Sequence, residues 1–325
     1  MYGEVAIFTG NGNRELAQEI SRALAVPLCP ADVFKFPNQN IFCRLHASVR
    51  GKDVFIIQPI ANSWDDKGVL ASVNDNLMEL LIMIDTAKRD SAGRITAVVP
   101  YFGYGRTDKK DQPRVPISAR LVADLIITAG ADRFLSMDLH AGQVQGFFNI
   151  QVDEVTAFYL LSDYVQDKNI PNAVVVAGDI GATKRARNFA QALDLPLAII
   201  EKRRIQLKDG CRAEALNVIG EVTGKNCIIF DDEIDTAGTM VQAIKFLIQE
   251  GAQDIYACAT HAVFSDPAVE RLSEAPVCEV VVTNTVSLPP AKHFSKLTVL
   301  SVAPLMAEVI RRIHLGISVG ELFNQ

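Results

Sequence analysis

The sequence has no excess of positive charge and no long hydrophobic run. Its 32 Lys and Arg residues are outnumbered by 38 Asp and Glu, which gives a net charge of −6. General affinity for nucleic acid or for an anionic membrane usually requires a basic face, so this balance argues against both and leaves small anionic ligands open. No stretch approaches the ~20 apolar residues of a membrane-spanning helix. We therefore expect no nucleic-acid partner and no membrane segment.

Cysteine is also scarce. None of the six cysteines forms a Cys-x-x-Cys pair, and several lie in apolar runs, which predicts reduced, buried thiols rather than a disulfide framework. The first ten residues, MYGEVAIFTG, lack the basic start and the long apolar stretch of a signal peptide. These features predict a soluble, cytoplasmic protein.

Short apolar runs alternate with amphipathic helical patterns along the chain. The apolar runs predict strands at Val5–Thr9, Asp53–Gln58, Ile95–Pro100, Arg133–Met137, Ala173–Ala177, Leu197–Ile200, Cys227–Phe230, Ile255–Thr260 and Glu279–Thr283. The helical patterns predict helices at Arg14–Ala25, Asp75–Asp90, Ser118–Ala129, Val155–Gln166, Thr183–Leu193, Thr239–Gln249 and Pro304–His314. Strands that alternate with helices predict an α/β fold with largely parallel sheets.

The chain contains a short internal repeat. Residues 129–141 (AGADRFLSMDLHA) and 250–262 (EGAQDIYACATHA) each run from a helix end at Gly-Ala, through a strand, to His-Ala. The length of 325 residues is about twice a common domain size. We therefore predict two related domains, residues 1–152 and 153–325, with the last helix and tail packing back on the first.

The stretch CIIFDDEIDTAGTMVQAI, residues 227–244, ends an apolar run in acids and continues with small residues into a helix. Ligands of an open parallel sheet bind beyond the carboxyl ends of its strands. A helix start suits a phosphate, and carboxylates accept hydrogen bonds from sugar hydroxyls. The stretch therefore predicts a ligand with a phosphate at one end and a polyol at the other. The alternative is an ordinary helix N-cap at Asp235 or Thr236 beside solvated acids.

This stretch resembles the phosphoribosyl-diphosphate loop of type I phosphoribosyltransferases, and most closely that of ribose-phosphate diphosphokinases. Further segments resemble the second family, so the likeness covers nearly the whole chain. They are NDNLMELLIMIDTAKRDSAGRITAVVPYFGYGRTDKKD, PISARLVADLIITAGADRFLSMDLHAGQVQGFF, THAVFSDPAVERL and SVGELF. The resemblance implies two tandem type I phosphoribosyltransferase-like domains, with ATP handled by the first and ribose 5-phosphate by the second.

The resemblance also implies a reaction, in which the anomeric hydroxyl of ribose 5-phosphate attacks the β-phosphorus of ATP and AMP leaves. Such transfers depend mainly on positioning and charge neutralisation. The implied catalytic cations are Lys202 and Arg204, in a mobile flap at residues 199–218. The implied ribose 5-phosphate residues are Arg204, Asp231, Asp232, Asp235, Thr236, Ala237, Gly238 and Thr239.

On the ATP side the resemblance implies three groups of residues. Arg106, Thr107 and Asp108 contact ATP, with Thr107 standing where the family has Gln. Mg²⁺ is held by His140 and Asp179, with Asp138 as a possible further acid. The adenine is held by Phe36, Asn38, Gln39 and Asn40 of a neighbouring subunit. At the last three positions, and at Ala182 and Ile180 beside Asp179, the chain departs from the family pattern.

Regulation and assembly follow from the same resemblance. Ser48, Arg50 and Ser318 resemble a phosphate or ADP allosteric site, and Glu321 stands where the family has Tyr. We therefore predict altered phosphate activation or ADP inhibition. The assembly implied is a homo-oligomer, a hexamer by resemblance. The stretch of residues 61–73 is longer than the corresponding stretch of the family, and the sequence predicts no role for it.

Three alternatives stay open at this point. A non-catalytic regulatory homologue would keep the fold and bind nucleotides or subunits without turnover. The departures at residues 38–40, 107 and 182 favour it slightly, but the presence of Lys202, Arg204, His140, Asp179 and the whole 231–239 segment argues more strongly against it. A phosphoribosyltransferase would consume the diphosphate, but it leaves the first-half GRTDKK and DLHA segments without a purpose. The third alternative is the same fold with a different diphosphoryl donor.

Overall fold

The structure is a computed structural model that describes residues 3–64, 68, 70–206 and 212–323. At positions 70, 202–206 and 212–216 it describes the strand but not the side chain. The chain divides into two compact units. Unit 1 contains Met1–Thr156, Asn284–Pro289 and Ser301–Gln325, and unit 2 contains Ala157–Thr283 and Pro290–Leu300.

The strands of unit 1, in chain order, are β1 (Val5–Thr9), β2 (Ala31–Lys35), β3 (Ile41–Leu45), β4 (Asp53–Ile57), β5 (Ser63–Trp64), β6 (Leu70–Ala71), β7 (Arg94–Val99), β8 (Arg133–Met137) and β9 (Gln151–Val155). Those of unit 2 are β10 (Ala173–Ala177), β11 (Leu197–Gln206), β12 (Arg212–Ile219), β13 (Asn226–Ile234), β14 (Ile255–Ala262), β15 (Glu279–Thr283) and β16 (Leu297–Leu300).

The α-helices are α1 (Arg14–Leu24), α2 (Val73–Arg89), α3 (Ser118–Ala129), α4 (Phe158–Asp167), α5 (Thr183–Ala192), α6 (Gly238–Gln249), α7 (Ala268–Glu274) and α8 (Ala303–Leu315). Short 3₁₀ turns lie at Gly142–Phe147, Pro290–Lys292 and Gly320–Leu322. Within the described ranges, no helix has both the length and the apolar character needed to cross a bilayer.

Parallel sheets form the centre of each unit, which confirms the predicted α/β class. The sheet of unit 1 has the order β1-β4-β7-β8-β9, and every adjacent pair is parallel. Each residue of β4 and β7 is buried, as expected for parallel strands covered on both faces by helices. The carboxyl ends of these strands therefore share one edge, where the loops after β4, β7 and β8 begin.

The sheet of unit 2 has the order β12-β11-β10-β13-β14-β15-β16. Its strands are parallel except β12, which pairs antiparallel with β11. The central strand β10 is buried throughout. The loops after β10 and β13 lead into α5 and α6, and they bring Asp179 and residues 235–237 to the same edge of this sheet.

Several sequence predictions were wrong in extent, and two of them lie near the candidate site or the boundary between the units. Residue Val155, predicted to begin a helix, instead ends β9, where it pairs with Met137 and is 1% exposed; the helix begins at Phe158. The strand predicted to end at Phe230 continues to Ile234, because the backbone of the acidic residues keeps its register with β14, as in the pair Asp231 and Ala259. The acids therefore lie at the end of a strand and not in a loop.

The start of α2 closes with a capping box. The Ser72 hydroxyl accepts a hydrogen bond from the Asp75 backbone N–H at 3.2 Å, and the Asp75 carboxylate accepts one from the Ser72 N–H at 2.9 Å. The predicted start at Asp75 therefore lies two residues inside the helix, which begins at Val73. This reciprocal arrangement satisfies backbone donors that a helix start otherwise leaves without partners.

Replacing Ser72 by alanine is expected to lower the free energy of unfolding by about 1 kcal/mol. The Ser72 hydroxyl accepts from the Asp75 N–H and donates to Asp75 Oδ2 at 2.8 Å, and alanine loses both hydrogen bonds. Urea denaturation measures this change. Ser273→Ala, on α7 of the other unit, is a matched control, because the Ser273 hydroxyl donates to the Val269 carbonyl of its own helix at 2.7 Å and does not cap the helix start. Equal stability of the wild type and the Ser72→Ala protein would contradict the capping role.

A buried ion pair fixes α8 to the sheet of unit 1. Arg94 donates from Nε to Asp53 Oδ1 at 2.8 Å, and from Nη2 to the Ile313 carbonyl at 3.0 Å. The His314 Nδ1 atom lies 2.9 Å from Asp53 Oδ2. Asp53 is fully buried, so its charge depends on these partners. The predicted helix Pro304–His314 thus exists with one more residue at each end and belongs to the first unit.

Candidate functional site

In unit 1, the turn after β7 lies beside the loop after β8. Gly103 is required in this turn, since an added Cβ would lie 2.3 Å from the Ile60 carbonyl oxygen. A Cβ at Gly105 would lie 3.8 Å from the Cβ of His140. The structure therefore brings the segment of the predicted ATP residues Arg106, Thr107 and Asp108 next to His140, although the two are far apart in the sequence.

The three predicted ATP residues differ in their surroundings. Asp108 is 7% exposed and accepts a hydrogen bond from Gln143 Nε2. Thr107 holds the turn through its backbone, with its N–H 3.0 Å from the Tyr104 carbonyl and its carbonyl 3.2 Å from the Ala119 N–H. The side chain of Arg106 is exposed. The turn is thus anchored at Thr107 and Asp108 and presents an arginine to solvent.

His140 itself is exposed on a braced loop. The Leu139 N–H donates to Glu154 Oε1 at 2.9 Å, and the Asp138 N–H donates to the Val155 carbonyl at 2.9 Å. Asp138 has a φ of 39°, a value that non-glycine residues rarely adopt and that often marks functional loops. The bracing holds the His140 backbone next to the turn that contains Arg106, Thr107 and Asp108.

The predicted adenine residues form the tip of an antiparallel hairpin, β2–β3, whose strands the sequence did not predict. The Phe36 N–H donates to the Asn40 carbonyl at 2.8 Å, and Gln39 has a φ of 70°. The Asn38 Oδ1 atom accepts from the Asn40 N–H at 3.1 Å, so part of its capacity is used by the turn. Phe36 is 42% exposed.

Phe36 does not stand alone on the hairpin. Its ring centroid lies 5.2 Å from that of Phe34 and 5.7 Å from that of Phe42. Edge-to-face contacts of this kind are favourable, so the cluster holds the Phe36 ring in place while leaving part of it accessible.

The candidate allosteric residues are all exposed in unit 1. The Arg50 N–H lies 3.5 Å from the Ser48 hydroxyl, and the Ser318 carbonyl accepts from Arg312 Nη1 at 2.7 Å. The Glu321 carboxylate is 3.4 Å from the same Arg312 nitrogen. The negative charge of Glu321 is therefore partly balanced by Arg312.

In unit 2, Asp179 closes the turn that leads into α5. Its Oδ1 atom accepts a hydrogen bond from the Ala182 N–H at 2.9 Å. Ala182 has ordinary right-handed dihedrals, φ −78° and ψ −8°, and is 3% exposed. The position therefore does not require glycine, and the Ala182 methyl group is accommodated inside the unit. The side chain of Ile180 is 63% exposed, so it does not fill the inside of the turn.

The two adjacent carboxylates at the end of β13 are not equivalent. Asp232 is 4% exposed, and its Oδ2 atom lies 2.9 Å from Arg185 Nη1 on α5. Burial raises the pKa of Asp231 to about 8, and the neighbouring Asp232 carboxylate adds to the rise while the Arg185 charge opposes it. Burial therefore favours the protonated form of Asp231, while the Asp232 carboxylate lies beside the positive charge of Arg185.

The segment 235–239 connects β13 to α6. Ala237 precedes the helix in the left-handed conformation, with φ 58° and ψ 6°. Thr236 and Thr239 are exposed, and Ala237 is 5% exposed. The first N–H groups of a helix have no partner within the helix, so this start combines backbone donors with two accessible hydroxyls. It is a surface that an oxyanion fits.

Two further cations of unit 2 lie at this segment. Arg271 Nη1 donates to the Thr236 carbonyl at 2.9 Å. Lys292 donates from Nζ to the Phe264 carbonyl. Burial lowers the pKa of Lys292 below its usual value, and the negative charges of Asp266 and Asp235 offset only part of this effect. Sequence reasoning missed Arg271, Lys292 and Arg185. The basic start of α5, TKRAR, was the one local signal for Arg185.

The predicted catalytic cations Lys202 and Arg204 lie on β11. Lys202 is opposite Leu216 on β12, and Arg204 is opposite Glu214. Their side chains, and residues 207–211 between the two strands, lie outside the described part of the structure. The strand pairing nevertheless places both residues beyond Ile200, where the predicted strand ended and the chain continues as a hairpin.

A group of three or more His, Cys, Asp or Glu side chains placed to hold a metal is not found in the described residues. Mg²⁺ usually keeps several waters and is bound through one or two carboxylates together with substrate phosphates. A carboxylate has about four lone-pair sites, so the hydrogen bond from the Ala182 N–H, the one that Asp179 accepts among the described residues, leaves further acceptor capacity. The donor chemistry at Asp179 thus fits Mg²⁺.

Comparison with known proteins assigns the chain to a family. Residues 5–130 match the model described as the N-terminal domain of ribose phosphate pyrophosphokinase, and residues 205–324 match the phosphoribosyl synthetase-associated domain. A ribose-phosphate pyrophosphokinase of Caldanaerobacter subterraneus is 52% identical over 98% of this chain and 97% of the relative. One from Wolinella succinogenes is 49% identical over 98% of each chain.

Solved structures agree with the sequence comparison. The crystal structure of phosphoribosylpyrophosphate synthetase from Mycobacterium smegmatis superposes with a TM-score of 0.88 at 43% sequence identity, and the match covers 97% of this chain and all of that one. Identity near one half over the full length, together with a shared fold, confirms the resemblance seen in the motifs. The chain belongs to the ribose-phosphate pyrophosphokinase family.

Proposed function

We propose that this protein transfers the β,γ-diphosphoryl group of ATP to the 1-hydroxyl of ribose 5-phosphate and so forms phosphoribosyl diphosphate and AMP for nucleotide biosynthesis. The observation that carries the proposal is the end of β13. There the Asp231–Asp232 pair and the start of α6 follow each other within nine residues, 231–239. A carboxylate pair and an oxyanion surface at that spacing match the two ends of a phosphorylated sugar.

The phosphate of ribose 5-phosphate lies on residues 235–239 in this proposal. The backbone N–H groups at the helix start and the hydroxyls of Thr236 and Thr239 donate to its oxygens, and the helix dipole favours its charge. The sugar hydroxyls face Asp231 and Asp232. Because Asp232 is held by Arg185, Asp231 is the carboxyl with more freedom to change partners when a sugar arrives.

ATP is bound by residues of unit 1 in this proposal. Arg106 neutralises charge on the phosphates, Asp108 and Thr107 shape the turn, and His140 lies beside it. The ring of Phe36, with Asn38, Gln39 and Asn40, holds the adenine of a neighbouring subunit. Exposure of Phe36 and the hydrogen-bonded hairpin tip support this role.

Lys202 and Arg204 stabilise negative charge that develops on the transferring group, as preorganised cations do in phosphoryl-type transfer. Mg²⁺ is the metal we propose, with Asp179 and His140 as its protein donors. When bound it would neutralise phosphate charge. The residues of the chain orient the substrates and exclude water.

Oligomeric state, cellular compartment and an allosteric site complete the proposed function. We propose a cytoplasmic homo-oligomer, a hexamer by resemblance, with Ser48, Arg50 and Ser318 in an allosteric anion site. Compensation of Glu321 by Arg312 supports the view that this site still accepts an anion.

The test is an assay with ATP, Mg²⁺ and ribose 5-phosphate, in which AMP and the diphosphorylated sugar are both measured. The proposal expects the two products in equal amounts. AMP without diphosphorylated sugar would indicate hydrolysis. No AMP, or activity only with an added partner subunit, would favour a regulatory homologue instead.

A further inference from the structure

Arg271 reaches across from α7 to the backbone of the segment 235–239. Its Nη1 atom donates to the Thr236 carbonyl at 2.9 Å, over a separation of 35 residues in the sequence. A Cβ added at Gly238 would lie 3.4 Å from the same nitrogen. The guanidinium therefore lies against the backbone of two residues of the segment, and both contacts are within unit 2.

The segment has a conformation that needs support. Ala237, between these two residues, is left-handed, with φ 58° and ψ 6°. L-residues other than glycine adopt that region at an energetic cost, because Cβ approaches the following carbonyl oxygen. Ala237 is 5% exposed, so packing holds its methyl group while the hydrogen bond from Arg271 holds the peptide before it.

The geometry of one peptide links Arg271 to the proposed phosphate position. In a trans peptide the carbonyl and the N–H point in opposite directions. Arg271 holds the Thr236 carbonyl on the side of α7, so the N–H of Ala237 is directed to the opposite side. The peptide orientation at the start of α6 is thus set from outside the segment.

Burial and hydrogen bonds hold the backbone of Arg271 in place on α7. Ala268 and Leu272, which flank it on α7, are both fully buried. The Arg271 N–H donates to the Pro267 carbonyl at 3.1 Å, and its carbonyl accepts from the Ala275 N–H at 3.0 Å. The backbone of Arg271 is therefore fixed, and only its side chain extends to the exposed segment.

We propose that Arg271 is a positioning residue for the 5-phosphate of the acceptor, which holds the Thr236–Ala237 peptide in the orientation that phosphate binding requires. The inference rests on the proposed function, since it deepens the role of residues 235–239. Arg271 acts through the backbone of the segment and does not contact the reacting atoms.

The test compares Arg271→Met with a control at a lysine that contacts the other end of the same helix. Lys296 Nζ donates to the carbonyls of Ser273 at 3.1 Å and Ala275 at 2.8 Å, at the far end of α7. Lys296→Met therefore removes a cation and the carbonyl contacts of α7 without touching residues 235–239. Both variants, and the wild type, are titrated with ribose 5-phosphate by calorimetry and assayed for AMP formation.

We expect Arg271→Met to weaken ribose 5-phosphate binding about tenfold, with the KM for ATP changed by less than about twofold, since only the phosphate site loses preorganisation. Lys296→Met should bind ribose 5-phosphate as the wild type does. In the Arg271→Met background, Ala237→Gly should recover at least about threefold of the lost affinity, because glycine adopts the left-handed region without strain.

Each outcome decides between explanations. Unchanged ribose 5-phosphate affinity in Arg271→Met, an equal rise in the KM for ATP, or no recovery with Ala237→Gly would overturn the positioning role. Calorimetry does not need turnover, so the two proposals can fail separately. If the wild type binds ribose 5-phosphate but forms no AMP, the proposed reaction fails and the Arg271 comparison still stands. If the wild type does not bind ribose 5-phosphate, both fail.

Discussion

Lys202→Ala is expected to lower kcat by about 10²–10³-fold, the range observed when one preorganised donor to developing charge is removed. Lys202 lies on β11, two residues beyond Ile200, in the strand that continues into the β11–β12 hairpin. If its ammonium contacts the transferring group only in the transition state, kcat and kcat/KM fall together and the KM values stay near those of the wild type.

A lysine of the same unit provides the control for this experiment. Lys245 is exposed on α6 and lies away from the helix start, so Lys245→Ala removes the same charge without the proposed contact. Its kcat should match that of the wild type. A full rate in Lys202→Ala would refute the catalytic assignment, and an equal loss in both variants would attribute the effect to net charge.

Asp231→Asn is expected to make the protein more stable at alkaline pH while weakening ribose 5-phosphate binding. The pKa of Asp231 is raised from 3.8 to about 8, by burial first and then by Asp232. Below pH 3.8 the folded and unfolded states are both protonated at this group. As the pH rises from there to about 8, the unfolded state loses its proton first. The folded state then binds more protons, so its stability falls as the pH rises.

An asparagine removes this ionisation, so the stability difference between variant and wild type should grow with pH. We expect a small difference at about pH 4 and one on the order of 5 kcal/mol at about pH 9, since the pKa of Asp231 rises by roughly four units and one unit corresponds to about 1.4 kcal/mol. Urea denaturation at the two pH values measures it. Asp163→Asn, at an exposed position on α4, is the control and should show no such trend.

The same variant tests the sugar contact. Asparagine replaces one carboxyl oxygen by an NH2 group, which cannot accept a hydrogen bond from a sugar hydroxyl, so the KM for ribose 5-phosphate should rise about tenfold or more. A stability difference that does not change with pH would contradict the raised pKa. An unchanged KM for ribose 5-phosphate would contradict the role of Asp231 at the sugar, even if the pH trend is found.

The sequence predicted regular, buried elements best. The strands Arg133–Met137, Ala173–Ala177 and Glu279–Thr283 and the helix Ser118–Ala129 have the predicted bounds. Each strand is an apolar run that is buried over most of its length, and Gly130 ends the helix with a φ of 119°. Where burial and a terminating residue act together, the local pattern is sufficient.

The antiparallel strands β2, β3 and β12 were not predicted from the sequence. In β2 and β3 exposed residues alternate with residues that are buried or partly buried, and β12 mixes charged and apolar residues, so none is apolar along its whole length. The predicted strand stopped at Phe230, before the acids 231–233, because charge usually ends a strand. Arg185, on α5, compensates the charge of Asp232. The local sequence around the acids does not indicate such a partner.

The site was predictable where it consists of consecutive residues and not where it depends on contacts across the fold. Residues 231–239 carry their chemistry in one segment, and family resemblance assigned them roles. Arg271 is 35 residues from the carbonyl it holds, and the pairing of Asp108 with Gln143 also joins distant segments. Such contacts are products of tertiary structure.

The central claim is that residues 235–239 hold the 5-phosphate of ribose 5-phosphate, and the double variant Thr236→Val, Thr239→Val tests it most directly. Valine keeps the shape of threonine at these two exposed positions and removes both hydroxyl donors. The account predicts a rise in the KM for ribose 5-phosphate of about tenfold or more, with the KM for ATP within about twofold of the wild type. An unchanged KM for ribose 5-phosphate would contradict it.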